Sequence, residues 1–167
     1  ADVRDLTLVF ARELLARVGL DDTDPAAALA DGRAMDSWRA MISAQGGDPD
    51  APMPKAPHIE EVRAENDGVI TRLDALGVGI AAWRLGAGRA RKEDPVHVSA
   101  GVYLHKTLGE KVSKGEVIMT LHAETADRMP RGIEALAEAC DGAGTVEISP
   151  SGPPRKRVVL ERIGTLT

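Results

Sequence analysis

The stretch GVYLHKTLGEKVSKGEVIMTLHAE, Gly101 to Glu124, limits the fold more than any other part of this chain. Its two ends alternate apolar and other residues with a period of two, the mark of half-buried strands. Between them lies GEKVSKGE, rich in glycine and charge, which cannot continue either strand. The chain therefore enters on one strand, turns tightly and leaves on another beside it, as a small antiparallel β-structure requires. The block just upstream, GVGIAAWRLGAGRARKEDPVHVSAG at 77–101, leads into this turn-bearing unit.

The sequence before it reads differently. Leu6, Val9, Phe10, Leu14 and Val18 recur at helical spacing over residues 2–18, with Gly19 as the stop. Thr23-Asp24-Pro25 opens a second helix, since proline suits the first helical position, and Gly32 breaks it. A third helix places Met35, Trp38, Met41 and Ile42 on one face and ends at Gly46-Gly47. Residues 46–58, GGDPDAPMPKAPH, are rich in proline and glycine and form an extended connection.

From Ile59 the pattern is β-rich. Strands are expected over 59–64 and 68–73, separated by an Asp67-Gly68 turn signal. Asp74 is positioned to cap a helix over about 75–84 that turns Leu76, Ile80 and Trp83 to the core, with Gly77 and Gly79 marking close packing. Strands follow at 96–104 and 117–122. A helix over 126–140 presents Ile133, Leu136, Ala137 and Cys140 on one face. Strands at 144–148 and 157–163 close the chain.

Charge and composition exclude several functions. The net charge of −5 and the scarcity of aromatic residues (Phe10, Trp38, Trp83 and Tyr103) give neither a basic face nor a stacking platform, so nucleic acid is not an expected partner. No apolar run reaches the ~18 residues of a membrane span, and no secretory signal precedes the first helix. Cys140 is the lone cysteine; it reads as a buried small apolar residue in a reducing, cytoplasmic setting. The chain starts in helix-like sequence without Met, which reads as a piece cut from something longer.

Candidate sites are few. Gly86-Ala87-Gly88-Arg89, with Arg84, Arg91 and Lys92 nearby, has the composition of an anion cradle, but it follows a helix where a phosphate loop precedes one; a structural turn is the expectation. His58 falls in the connection. His97, His105 and His122 complete the histidines; His105 and His122 sit on strands where they could face each other, and no third ligand accompanies them. Structural histidines are expected. No nucleophile elbow, CxxC pair or HExxH is present.

The GEKVSKGE turn resembles that of biotinyl and lipoyl carrier domains, GDxVxxGxxL, which use a barrel-sandwich hybrid. Carriers present a modified lysine at a later hairpin, and no lysine occurs here between Lys114 and Lys156. The architecture is shared in this reading and the modification chemistry is not.

A longer resemblance absorbs this one. DVRDLTLVFARELL, ADGRAMDSWRAMISAQGGDP and the run DGVITRLDALGVGIAAWRLGAGRARKEDPVHVSAGVYLHKTLGEKVSKGEVIMTLHAE are similar to the C-terminal part of the thymidine phosphorylase and pyrimidine-nucleoside phosphorylase family, closely over residues 1–124 and more loosely beyond. The resemblance implies an α+β fold, with N-terminal helices followed by a barrel-sandwich-hybrid-like (α/β hammerhead) C-terminal domain. It divides the chain into a helical segment, 1–47, belonging to a larger α/β domain, a linker, 48–58, and a β-rich α/β domain, 59–167.

Family enzymes cleave a pyrimidine nucleoside with phosphate, and the parent protein is expected to bind both. They are homodimers of a small helical and a larger α/β domain, with a cleft that closes on substrate. Their phosphate loop and base-binding Arg, Ser and Lys lie in the N-terminal half; no SGRG-like or GGTxD run occurs here. The resemblance therefore transfers no catalytic residue, and no cofactor or metal is expected. The chain alone is expected to be an inactive scaffold, monomeric or weakly associated. The alternative is a stand-alone, non-catalytic barrel-sandwich interaction domain.

Overall fold

The computed structural model describes residues 2–152, 159–161 and 163–164. Of the strand expected at 157–163, residues 157, 158 and 162 lie outside them, and 159–161 and 163 are not in a strand. The chain divides into two compact units: one holds the residues up to Pro52 together with those from Lys156 on, the other Met53–Arg155.

The first unit is helical. Helix α1 spans Asp2–Arg17, α2 Pro25–Ala30 and α3 Arg33–Ala44. The Asp24 carboxylate accepts from the Ala26 amide at 2.9 Å and Pro25 follows it, so the cap forms as its sequence dictates. Gly32, at φ 94°, stands between α2 and α3 in a conformation that penalises other residues. The periodicity locates these helices but not their covered faces. In α1, Leu8 is buried while Phe10 and Leu14 are exposed, as is Val18 just after it, and in α3 Met35, Trp38 and Met41 are exposed.

The second unit holds the core. Its strands are β1 (His58–Arg63), β2 (Gly68–Leu73), β3 (Gly101–Leu104), β4 (Lys111–Val112), β5 (Val117–Ala123) and β6 (Val146–Ser149); its helices are α4 (Ala75–Ala82) and α5 (Met129–Glu138). Two open, antiparallel three-stranded sheets form, ordered β1-β5-β3 and β4-β2-β6. The strands flanking the GEKVSKGE segment do pair, with Tyr103 opposite Thr120. The segment between them supplies β4 to the other sheet. The fold is α+β, and no closed barrel forms among the described residues.

The Asp67-Gly68 signal works in an unexpected way. β1 and β2 do not pair; they enter different sheets. Asp67 accepts from the Lys114 amide at 2.7 Å, tying this bend to the later turn. Gly68 is required by proximity, because a Cβ there would lie 2.5 Å from the Ser149 carbonyl oxygen.

Asp74 caps α4 as expected, accepting from the Gly77 amide at 2.7 Å. The core-facing residues of both helices are corrected, however. Leu76, Ile80 and Trp83 point outward, and Gly77, Ala81 and Leu85 are buried. On α5, Met129, Gly132, Ala135 and Leu136 are buried; of the expected set only Leu136 is. The two helices approach closely, so small residues occupy the contact. A Cβ on Gly77 would lie 2.7 Å from Ala139 Cβ, and one on Gly132 would lie 2.7 Å from Leu85 Cδ2. Gly79 has open space around it. Ile70, Leu85, Ile118, Met119 and Leu121 are fully buried in one cluster between the sheets and these helices.

Candidate functional site

The glycine- and arginine-rich loop begins where α4 widens into a π-type turn, Trp83–Ala87. Gly86 sits at φ 115° and its carbonyl accepts from the His97 amide at 3.0 Å. The His97 ring packs on its Cα; a Cβ on Gly86 would lie 2.9 Å from His97 Cγ, and one on Gly88 would lie 2.8 Å from Trp83 Cδ1. Both glycines therefore answer to packing. Arg89 donates to the Lys92 carbonyl, and Asp94 accepts from the Arg91 amide at 2.8 Å, so this segment folds on itself.

A cleft of ≈ 330 Å³ lies beside it, lined by Trp83, Arg84, Asp94, Arg128 and Arg131 among others. Of the cations expected to cluster, only Arg84 lines this cleft, and Arg128 and Arg131 come from beyond β5. Arg84 reaches Glu134 and Glu138, each at 3.1 Å. Arg128 donates to the Arg84 carbonyl. A guanidinium with two carboxylate partners is already neutralised, so Arg84 adds little free positive charge to the cleft that Arg128 and Arg131 also line.

Glu124 at the end of β5 pins the loop. Its Oε1 accepts from the Ser99 amide and hydroxyl, each at 3.0 Å. Its Oε2 lies 3.8 Å from His97 Nδ1, a buried nitrogen with no hydrogen-bond partner. The Ser99 amide, then the Ser99 hydroxyl and the neighbouring His97, hold the Glu124 carboxyl below the usual carboxylate range against the opposing cost of desolvation. His97 is thus a packed residue with one unsatisfied nitrogen, short of the fully satisfied histidine expected.

The run from Thr107 to Glu116, which includes GEKVSKGE, contains one turn built twice. Thr107-x-Gly109-Glu110 closes through a hydrogen bond from the Glu110 amide to the Thr107 carbonyl, and Ser113-x-Gly115-Glu116 repeats it. In each turn the glutamate carboxylate accepts from the first residue's amide, at 2.5 Å and 2.9 Å. Gly109 and Gly115 take nearly the same positive φ, 83° and 82°. Lys106 pairs with Glu116 at 2.6 Å, raising the lysine and lowering the glutamate from their ordinary ranges. The carboxylates are engaged in shaping backbone.

The remaining candidates separate. His58 opens β1 and is no loop residue. Cys140 is exposed at φ 54°, where the chain reverses after α5, so the expected burial is corrected. His105 and His122 do come together: the Thr120 hydroxyl lies 3.3 Å from His105 Nε2 and 3.0 Å from His122 Nε2. Thr120 was not singled out by sequence, although its i, i+2 spacing to His122 puts both on one strand face. Among the described residues no group of three or more His, Cys, Asp or Glu side chains is arranged to hold a metal, and no helix is long and apolar enough to cross a membrane.

Residues 69–142 match the pyrimidine nucleoside phosphorylase C-terminal domain family. The thymidine phosphorylase of Mycobacterium tuberculosis (strain H37Rv) is 41% identical over 162 residues, 97% of this chain and 36% of the relative. The pyrimidine-nucleoside phosphorylase of Bacillus subtilis (strain 168) is 35% identical over 133 residues, 73% of this chain and 31% of the relative. That of Geobacillus stearothermophilus is 40% identical over 101 residues, 58% of this chain and 23% of the relative. The chain spans about a third or less of the length of these curated relatives. By these matches the chain belongs to the thymidine and pyrimidine-nucleoside phosphorylase family and corresponds to its C-terminal part.

Proposed function

We propose that this chain is a non-catalytic scaffold within a pyrimidine-nucleoside phosphorylase, an enzyme that cleaves thymidine with phosphate to thymine and 2-deoxyribose 1-phosphate. The observation that carries the reading is the 41% identity to a thymidine phosphorylase across 97% of the chain. The two open sheets serve as a barrel-sandwich-hybrid-like body of the hammerhead kind that completes a larger α/β domain. The whole enzyme works as a cytoplasmic homodimer that binds nucleoside and phosphate.

Phosphorolysis needs cations and amides around phosphate and a donor for the departing base anion. In this chain Arg63, Arg72, Arg84 and Lys106 are paired with Glu61, Glu147, Glu134 and Glu138, and Glu116. The chemistry is therefore assigned to sequence outside this chain, and the role here is to hold a rigid body that moves as a unit when the cleft closes.

Incubating the chain alone with thymidine and phosphate should release no thymine. Joining it to the N-terminal part of a relative should give a phosphorolytic enzyme. Thymine release by the chain alone would overturn the scaffold reading.

A further inference from the structure

The outer face of the β1-β5-β3 sheet gathers two imidazoles around one hydroxyl. Antiparallel register sets Tyr103 and Glu61 opposite Thr120, and Gly101 and Ile59 opposite His122, so these side chains share a face. His105 follows β3 by one residue. Its amide and that of Lys106 both donate to the Ile118 carbonyl, at 2.8 Å and 3.1 Å, which holds it against β5. The Tyr103 ring lies 4.8 Å from the His105 ring, centroid to centroid, and limits its rotation. Gly101, beside His122, has nothing within 4 Å of where a Cβ would stand, so space remains next to that ring. Both Nε2 atoms then meet Thr120 Oγ1, at 3.3 Å and 3.0 Å.

We propose that His105 and His122 form a two-imidazole site for a transition-metal dication of the Zn²⁺, Ni²⁺ or Cu²⁺ class. Neutral imidazole is the preferred nitrogen ligand of these ions. A tetrahedral ion with metal–nitrogen bonds of ~2.0–2.1 Å needs its two nitrogens roughly 3.3 Å apart. Two rings that reach the same oxygen atom, at 3.3 Å and 3.0 Å, keep their Nε2 atoms close enough for side-chain rotation to bring them to that separation. The Thr120 hydroxyl stands between the two Nε2 atoms, beside the position the ion would take. The other donor nearest in register, Glu61, is paired with Arg63, and no three-ligand group exists among the described residues. Water therefore completes the shell, and the ion cross-links β3 to β5 instead of building a closed structural site.

The test is calorimetric titration of the chain with ZnCl₂ and, separately, CuCl₂. The double variant His105→Ala/His122→Ala, which keeps His58 and His97, is the reference. The unaltered chain should show one site that each single variant, H105A or H122A, weakens roughly tenfold or more, at least the loss seen on removing an outer-shell partner. Thr120→Val, which keeps both rings, should retain the site. Added metal should raise the melting temperature of the unaltered chain and leave that of the double variant unchanged. Binding no tighter than the double variant's would overturn the proposal, and so would loss of the site in H58A or H97A with retention in H105A.

Discussion

Trp38 in α3 and Leu85 after α4 are both large apolar residues in helical sequence, yet Trp38 is 44% exposed and Leu85 0%. The contrast extends to their whole units. Among the described residues up to Pro52, Leu8 is the one buried apolar side chain, whereas the buried cluster built around Ile70, Leu85, Met119 and Leu121 lies entirely after Met53. Apolar periodicity is enough to make α1 and α3 helical, because it agrees with local propensity and with the stops at Gly19 and Gly46. Burial needs a second layer, and the two sheets supply it to α4 and α5.

The largest expected effect tests this difference directly. Leu85→Ala and Leu121→Ala should each destabilise the chain by about 2–5 kcal/mol, the usual cost of a cavity in a close-packed core. Trp38→Ala and Met35→Ala should stay within roughly 0.5 kcal/mol, as surface changes do. Urea denaturation followed by circular dichroism measures all four. Comparable losses at Trp38 and Leu85 would break the comparison, since α3 would then hold a core that its exposure denies.

The same comparison explains what sequence conveyed and what it withheld. Many element positions were legible because they rest on local chemistry, as at the Asp74 cap and the Thr23-Asp24-Pro25 helix start; the single turn read in GEKVSKGE was not, because it resolves into two turns around β4, a strand set by distant pairing with β2. Buried faces in α4 and α5 were not, because the reading assigned the core to the bulkiest residues. These helices meet through Gly77, Ala81, Gly132 and Ala135, so the contact selects for small side chains and sends Leu76, Ile80 and Trp83 outward. The site was legible only in part. His105 and His122 could be placed on strands, but their convergence on Thr120 depends on a β3–β5 register fixed by pairing distant in sequence. The cleft arginines 128 and 131 arrive by the same long-range route.

Two glycines on α4 sharpen this point at intermediate magnitude. Glycine to alanine inside a helix gains about 0.8–1 kcal/mol from propensity. At Gly79, with open space around it, Gly79→Ala should show that gain. At Gly77 a Cβ would stand 2.5 Å from Thr145 Oγ1 and 2.7 Å from Ala139 Cβ, neither of them the end of a long flexible chain. Overpacking costs about 1–3 kcal/mol, so Gly77→Ala should destabilise. Opposite signs two residues apart are the expected result in thermal or urea unfolding. A stabilising Gly77→Ala would mean that α4 and α5 are not in close contact.

The smallest effect separates long-range from local electrostatics. Glu124 and Asp31 both have carboxyls held below their ordinary range, Glu124 first by the Ser99 amide and Asp31 first by the Arg33 side chain. A lowered carboxyl contributes stability above its unfolded value, about 4.3 for glutamate, and that contribution is lost as pH falls through the lower native value. The partners differ in reach: Ser99 and Glu124 are 25 residues apart, and Asp31 and Arg33 only two. Protonating Glu124 therefore releases the 97–99 segment from β5, while protonating Asp31 frees only the Arg33 side chain and the Arg33 amide beside it. Hydrogen exchange of the Ser99 amide should accelerate relative to the intrinsic acid-range rate as pH drops from about 5 to 3. In Glu124→Gln the amide oxygen can still accept from Ser99 but cannot titrate, so the relative rate should be flat with pH. Amides in the first turn of α3 after Arg33, whose own amide donates to Asp31, should not follow the Ser99 transition. If they do, the acid response is a general loosening of the chain, and the long-range tie at Glu124 is not its origin.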